Sequence, residues 1–148
     1  MLKSIIAIVV SYLAMFVFFM VVAIGCYVAL GSERVFQPDS YEISMLWLVL
    51  TVVVSFLASA IAGYLCAAIS GSWTTCRVFA FIVFLATLGF CVASLRQSQE
   101  SPNVRASEVS YGDGMRLGVS PMWLHFVSPV ISGIAVLVGA RMKRRGDA

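Results

Sequence analysis

The sequence predicts an all-α membrane protein, a bundle of four transmembrane helices with a longer loop between the third and the fourth. Two observations carry that prediction. Of the 148 residues, 61% are hydrophobic and only 11% are charged, where a soluble domain carries about 25% charged residues; mean hydropathy is +0.98. The apolar residues also fall into four separate runs, each close to or above the roughly 20 residues that a helix needs to cross a hydrocarbon core. Water could not accommodate so much apolar surface on so short a chain, whereas a bilayer acts as its solvent.

The four runs cover about residues 5–30, 41–69, 78–95 and 121–142. The stretches Ile5-Ile6-Ala7-Ile8-Val9-Val10 and Leu46 to Val54 are continuous rather than alternating. That favours helices strongly over a membrane β-barrel, whose strands alternate apolar and polar residues in segments of about ten. Gly31-Ser32-Glu33-Arg34 ends the first helix. Pro38-Asp39-Ser40 is a turn, with Asp39 or Ser40 placed to cap the second helix by accepting a backbone N–H. Gly71-Ser72 closes the second helix, and Trp73 to Arg77 reads as a short connection. Ser120-Pro121 reads as an N-cap followed by proline at the first helical position. The first two runs exceed the bilayer thickness, which predicts tilt or extension beyond the membrane surface.

The chain makes a single transmembrane domain over residues 1–148, with an extracytoplasmic loop at 96–119 and a basic cytoplasmic tail at 143–148. The loop carries Arg96, Arg105 and Arg116 against Glu100, Glu108 and Asp113, and Pro102, Gly112, Gly114 and Gly118 break regular structure there. Lys3 before an apolar run, Ala29-Leu30-Gly31 and Val22-Ala23-Ile24-Gly25-Cys26 loosely resemble signal-peptide features. A signal core spans about 7 to 15 residues, however, and this run is far longer, so a retained helix is expected.

Orientation follows from the Lys/Arg distribution. Lys3, Arg77, Arg141, Lys143, Arg144 and Arg145 lie on one side, and Arg34, Arg96, Arg105 and Arg116 on the other. The excess places both termini in the cytoplasm. Trp47, Trp123, Tyr27 and Tyr41 then fall near the outer interface, and Tyr64 and Trp73 near the inner one, as an aromatic belt requires. The net charge of +3 is concentrated in Arg141, Lys143, Arg144 and Arg145, a tail suited to anionic lipid head groups. No soluble region of fold size supports nucleic-acid binding.

Few residues could carry chemistry. The second helix holds a stripe of small residues four apart, Thr51, Ser55, Ser59, Gly63, Ala67 and Gly71. Small side chains let helix backbones approach closely in lipid, and Ser128, Ser132, Gly133, Gly139 and Ala140 of the fourth helix offer a mate. Packing within the bundle is the leading reading; a seam for a homo-oligomer or another membrane subunit is the functional one. His125 is the only histidine, and Pro129 four residues on cannot donate to its carbonyl. That combination marks a polar, kinked position able to bind a proton, a metal or a ligand, with Glu42 or Asp39 as a partner. The bland reading is an interfacial histidine.

No carboxylate lies within the four membrane cores, which counts against a proton-driven pump and makes a Ser-His-Asp arrangement hard to build. The four cysteines, Cys26, Cys66, Cys76 and Cys91, lack CxxC spacing. Cys26 and Cys91 should share a depth near the outer face, where a disulfide needs their backbones within about 7 Å; small apolar filling is the default. No metal, phosphate-loop or cofactor-attachment motif occurs, so no catalytic, cofactor-binding or metal residue is assigned.

Phe36-Gln37-Pro38 with Ser40-Tyr41-Glu42, then Leu46-Trp47-Leu48, Gly63-Tyr64-Leu65-Cys66-Ala67-Ala68 and Val138-Gly139-Ala140-Arg141 resemble a group of uncharacterised bacterial four-helix membrane proteins. That resemblance covers most of the chain except the third connection and implies a bacterial inner membrane, with no activity attached. Small multidrug transporters are similar in size and helix number, but they differ by a membrane-embedded glutamate. The expected function is therefore a non-enzymatic accessory or scaffold subunit acting through helix packing. The alternative is a small oligomeric transporter or channel component for a neutral solute.

Overall fold

The computed structural model describes residues 2–37, 41–98, 112 and 121–146. It is a bundle of four long helices, α1 (Leu2–Leu30), α3 (Met45–Ser70), α4 (Trp73–Ser98) and α5 (Met122–Gly146), with one short turn of helix, α2 (Ser32–Val35). Among the described residues there is no strand, only an isolated antiparallel bridge between Phe36 and Ile43. At 1.5 Å per residue, a 26-residue helix such as α3 is about 39 Å long, more than a hydrocarbon core of about 30 Å. Only 11 to 33% of the most apolar part of each long helix is buried within the chain. The remainder faces outward and is itself apolar, as with Phe16, Phe81 and Phe126. This outward apolar surface is what lipid contact requires, and the chain is a multi-pass membrane protein.

Helix boundaries depart from hydropathy where backbone geometry intervenes. α3 begins at Met45, not at 41, because the Phe36–Ile43 bridge holds the preceding residues extended. Its N-cap is Ser44, whose hydroxyl accepts from the Trp47 N–H at 3.3 Å; Asp39 and Ser40 lie outside the described residues. α3 ends at Gly71, in the left-handed conformation with φ 63°, which a side chain would disfavour. Ser70 then stitches the turn, donating to the Cys66 carbonyl at 2.7 Å and accepting from the Ser72 N–H at 3.3 Å. α4 starts immediately, at Trp73, so Trp73 to Arg77 is its first turn rather than a connection. The Ser72 carbonyl accepts from the Cys76 N–H, placing Ser72 at the capping position. α5 follows Pro121, whose carbonyl accepts from the Leu124 N–H, and continues past 142 to Gly146. Lys143, Arg144 and Arg145 occupy its last turn, where cations complement the helix dipole. Ser120 and, apart from Gly112, residues 99–120 lie outside the described residues, as do the expectations placed on them.

α3 and α5 form the central pair, with α1 packed on α3 and α4 on α5. Two glycines allow the central contact. A Cβ on Gly63 would overlap the backbone carbonyl of Val136, and one on Gly139 would overlap that of Ala60. Around this contact a core of Ala62, Cys66, Phe79, Val83, Val136 and Ala140 closes the end of the bundle that holds both the start of α1 and the end of α5. Thr75 of α4 donates to Ser4 of α1 at 3.1 Å there. Ser11 is fully buried beside that core, where the Cys66 thiol is its neighbour, and its hydroxyl makes no hydrogen bond of close geometry among the described residues. An unpaired buried hydroxyl costs about 1 kcal/mol or more. Ser11→Ala should therefore leave thermal stability unchanged or raise it by about 1 kcal/mol; a clear loss in detergent melts would reveal a hydrogen bond that this geometry lacks.

The opposite end is covered by residues 31–37 and 41–44. Val35, Phe36 and Tyr41 are buried against Tyr27, with Trp47 alongside. Tyr27 meets Trp47 edge-on at 5.9 Å, and Phe36 meets Tyr41 at 6.2 Å. The Gln37 N–H donates to the Glu42 carbonyl, the Ser44 N–H to the Val35 carbonyl and the Ser44 hydroxyl to the Arg34 carbonyl. The first connection is thus a folded cap, in which polar backbone groups pair with one another above an aromatic base.

Candidate functional site

Beneath that cap the helices leave a cleft of about 420 Å³. α1 and α4 touch near the closed end, through Ser4 and Thr75, and the cleft lies between them beyond that contact, with α3 and α5 behind. Its apolar wall includes Met15, Phe16, Phe19 and Met20 from α1, Leu50 and Val54 from α3 and Phe90 from α4. Tyr27, Phe36 and Trp47 roof it. Phe16 is 51% exposed and Phe90 63%, although both line the cleft, so it opens sideways toward lipid rather than only along the bundle axis.

The polar groups of the cleft concentrate on α3, α4 and α5. Thr51, Ser55, Ser59, Thr87, Ser94, His125, Ser128 and Ser132 all contribute to its lining. Two of these hydroxyls are already committed, because Thr87 donates to the Val83 carbonyl at 2.8 Å and Ser59 points at the Met15 sulfur at 3.8 Å. His125 is 93% buried by its 7% exposure and is held at both nitrogens. Nδ1 lies 3.2 Å from the Pro121 carbonyl and Nε2 3.1 Å from the Ser94 hydroxyl. A carbonyl oxygen can only accept, so Nδ1 carries a proton, and in the neutral ring Nε2 is left as an acceptor. Ser94 also lies within 2.9 Å of the Cys91 carbonyl. Its single hydroxyl proton therefore has two acceptors, Cys91 O and His125 Nε2, and can serve only one at a time. Pro129, fully buried one turn later, cannot donate to the His125 carbonyl, so the backbone beside the ring is also short of a donor.

The structure distributes the small-residue stripe between two tasks. Thr51 and Ser55 are half-buried and, with buried Ser59, face the cleft; Gly63 and Ala67 are buried in the central contact and the closed end; Gly71 is exposed and ends the helix. Of the residues suggested as its mate, Gly139 and Ala140 are buried in that same contact, Ser128 and Ser132 line the cleft, and Gly133 borders a groove on the outside of α5. His125 pairs with Ser94 and Pro121 rather than with Glu42, and Asp39 lies outside the described residues. Arg141, Arg144 and Arg145 are exposed and Lys143 is half-buried. All four cysteines are free thiols, so Cys26 and Cys91 do not form the disulfide considered above. Among the described residues, no group of three or more His, Cys, Asp or Glu side chains comes together as a metal site.

Sequence reasoning missed Ser94 and the aromatic roof. Ser94 lies 31 residues from His125, across the longest connection. The one available signal was that Cys91, a turn before Ser94, should reach the same outer depth as His125.

Four apolar helices and a lipid-facing cleft define a multi-pass membrane protein with an intramembrane recess. In comparisons with protein-family models, curated proteins and solved structures, the chain finds no match.

Proposed function

We propose that this chain is a non-enzymatic membrane protein, and that its working part is the cleft, which receives an uncharged amphiphile from the surrounding bilayer. The observation that carries this reading is the position of His125 and Ser94 at the polar end of a recess whose other walls are apolar. Ligand sites commonly have this composition, mostly apolar with a few convergent polar groups, and occur between the helices of bundles. In the neutral ring protonated at Nδ1, His125 Nε2 is an acceptor, which suits a head group that donates a hydrogen bond, such as the hydroxyl of a long-chain alcohol. The accessory-subunit role is retained in this reading, with the ligand rather than the small-residue stripe as its basis, since Gly63 and Ala67 are used inside the chain.

The test uses a matched pair. Of the three tryptophans, only Trp47 lines the cleft, so a brominated long-chain alcohol should quench part of the emission of the detergent-solubilised protein. The corresponding methyl ether, which cannot donate, should bind about fivefold more weakly, the worth of roughly one neutral hydrogen bond. In His125→Phe the preference for alcohol over ether should disappear. Absence of quenching by either compound would remove the cleft as a binding site; equal quenching by both would remove the hydrogen-bonding role of His125.

A second reading, a small oligomeric transporter or channel component for a neutral solute, draws on the hydroxyls of Thr51, Ser55 and Ser128 along the same cleft. Solute flux through proteoliposomes would favour it over a binding role. We further propose a bacterial inner membrane with both termini cytoplasmic, on the resemblance and the Lys/Arg distribution given above. Terminal reporter tags, both read from the cytoplasm, are the expected outcome, and opposite sides for the two ends would exclude four crossings.

A further inference from the structure

A separate groove of about 320 Å³ runs along the outside of the bundle between α4 and α5, away from the cleft. Ala80 and Phe84 form one edge, and Gly133 and Leu137 the other. From Arg77 to Phe84 the helix rises about 10 Å, so the groove runs along about two turns of α4. Gly133 creates its depth. A Cβ there would make only ordinary contact, 3.8 Å from the Ala80 carbonyl and 3.9 Å from Phe84 Cβ, so the missing side chain leaves the space open. Arg77 closes the groove at the end nearest the basic last turn of α5.

At that end the guanidinium carbons of Arg77 and Arg144 each lie 5.5 Å from the centre of the Trp73 ring. The ring attracts each cation, but the arrangement brings two like charges to one indole. Arg141, Lys143 and Arg145 add to the positive charge, while the described carboxylates Glu33 and Glu42 belong to the cap at the opposite end. Neither Arg77 nor Arg144 has an ion-pair partner among the described residues. An anion bound at this cluster would offset the two like charges, and the planar guanidinium fork matches phosphate oxygens in pairs. Trp73 sits where interfacial aromatics mark the head-group level, and the apolar groove starts at Arg77 and descends from there.

We propose that Arg77, Arg144 and the α4–α5 groove form a site for one anionic glycerophospholipid, with its phosphate at the Arg77–Trp73–Arg144 cluster and one acyl chain laid against Gly133. The charge selects against zwitterionic lipids, and the groove distinguishes a lipid from a free phosphate ion.

The protein in mild detergent, stripped of lipid, should melt at a higher temperature when phosphatidylglycerol is added. Phosphatidylcholine and inorganic phosphate at matched concentration should leave the melt unchanged. In the double variant Arg77→Gln/Arg144→Gln, the concentration of phosphatidylglycerol needed should rise about thirtyfold, since each juxtamembrane cation contributes roughly a fivefold change. Arg145→Gln, next in sequence but outside the pair, should cost no more than about fivefold. Gly133→Leu keeps both cations and fills the groove, so it should lose the response to phosphatidylglycerol while melting normally without lipid. Should it fail to fold, the exposed arginine pair still decides the matter. Equal stabilisation by phosphatidylglycerol and phosphatidylcholine, full stabilisation by phosphate alone, or an unchanged lipid response in the double variant would each overturn the site. An unchanged response in a folded Gly133→Leu would overturn the placement of the chain.

Discussion

Gly63→Ala should destabilise the bundle by about 3 kcal/mol or more, an amount at the upper end for overpacking a core and equivalent to a fall of roughly 10 °C in melting temperature for a chain of this size. The effect is large because the obstacle is backbone. The added methyl group would overlap the Val136 carbonyl, and no rotamer change can move a carbonyl that belongs to a helix. α3 and α5 must therefore separate, and the contacts of Ala62, Cys66 and Ala140 separate with them. Gly139→Ala meets the Ala60 carbonyl in the same way. Once one substitution has parted the helices the second has less to disrupt, so the double variant should cost clearly less than the sum. Gly25 and Gly89 are the controls, because a Cβ at either meets nothing within 4 Å. Alanine there should be neutral or stabilising by up to about 1 kcal/mol, the helix-propensity gain over glycine. Thermal melts in detergent would check the five variants. A Gly63→Ala protein as stable as Gly89→Ala would show that α3 and α5 do not meet through these glycines.

Phe79→Ala should have the next largest effect, about 2 kcal/mol. Phe79 is completely buried among Ala62, Cys66, Val83 and Val136 in the closed end. In water-soluble proteins a Phe→Ala change costs about 3–5 kcal/mol, combining loss of transfer energy with the cavity left behind. In a bilayer the transfer part is largely absent, because lipid tails are as apolar as the core. What remains is the cavity, on the order of 100 Å³ at about 24 cal/mol per Å³. Phe126 is 68% exposed, and its replacement by alanine exchanges one hydrocarbon surface for another at almost no cost. Unfolding by denaturing detergent should separate the two variants cleanly. Comparable losses for both would mean that Phe126 packs against protein rather than lipid.

The number and type of helices were legible in the sequence; several of their ends and nearly all of the site were not. Tyr41 and Ile43 are apolar and join smoothly to the run that becomes α3, yet the bridge from Ile43 to Phe36 keeps them out of the helix. Thr74, Thr75 and Arg77 look like connection residues, yet they form the first turn of α4, because Gly71 and Ser72 complete the reversal in two residues. Hydropathy reports solvent preference, whereas these boundaries are set by backbone hydrogen bonds. The four-residue spacing of the small residues in α3 was visible, but its division between cleft and core depends on how α3 crosses α5. The contacts of Arg77 and Arg144 with the one Trp73 ring bring together residues 67 apart in the chain, and local pattern holds no trace of that meeting.

Taken alone, the sequence determines that lipid surrounds this chain and that it crosses as four helices. Both follow from sums over neighbouring residues: the apolar content of each run, and the need of every backbone N–H and C=O for a partner within its own segment. Which helices meet, where they part and which polar groups face the opening were decided only by the tertiary structure. In a bilayer the surface turned to lipid is as apolar as the surface turned to protein, so these helices carry no inside-to-outside contrast from which their partners could be deduced. The contacts come instead from shape, chiefly the missing side chains of Gly63 and Gly139, and shape acts only once the helices are side by side.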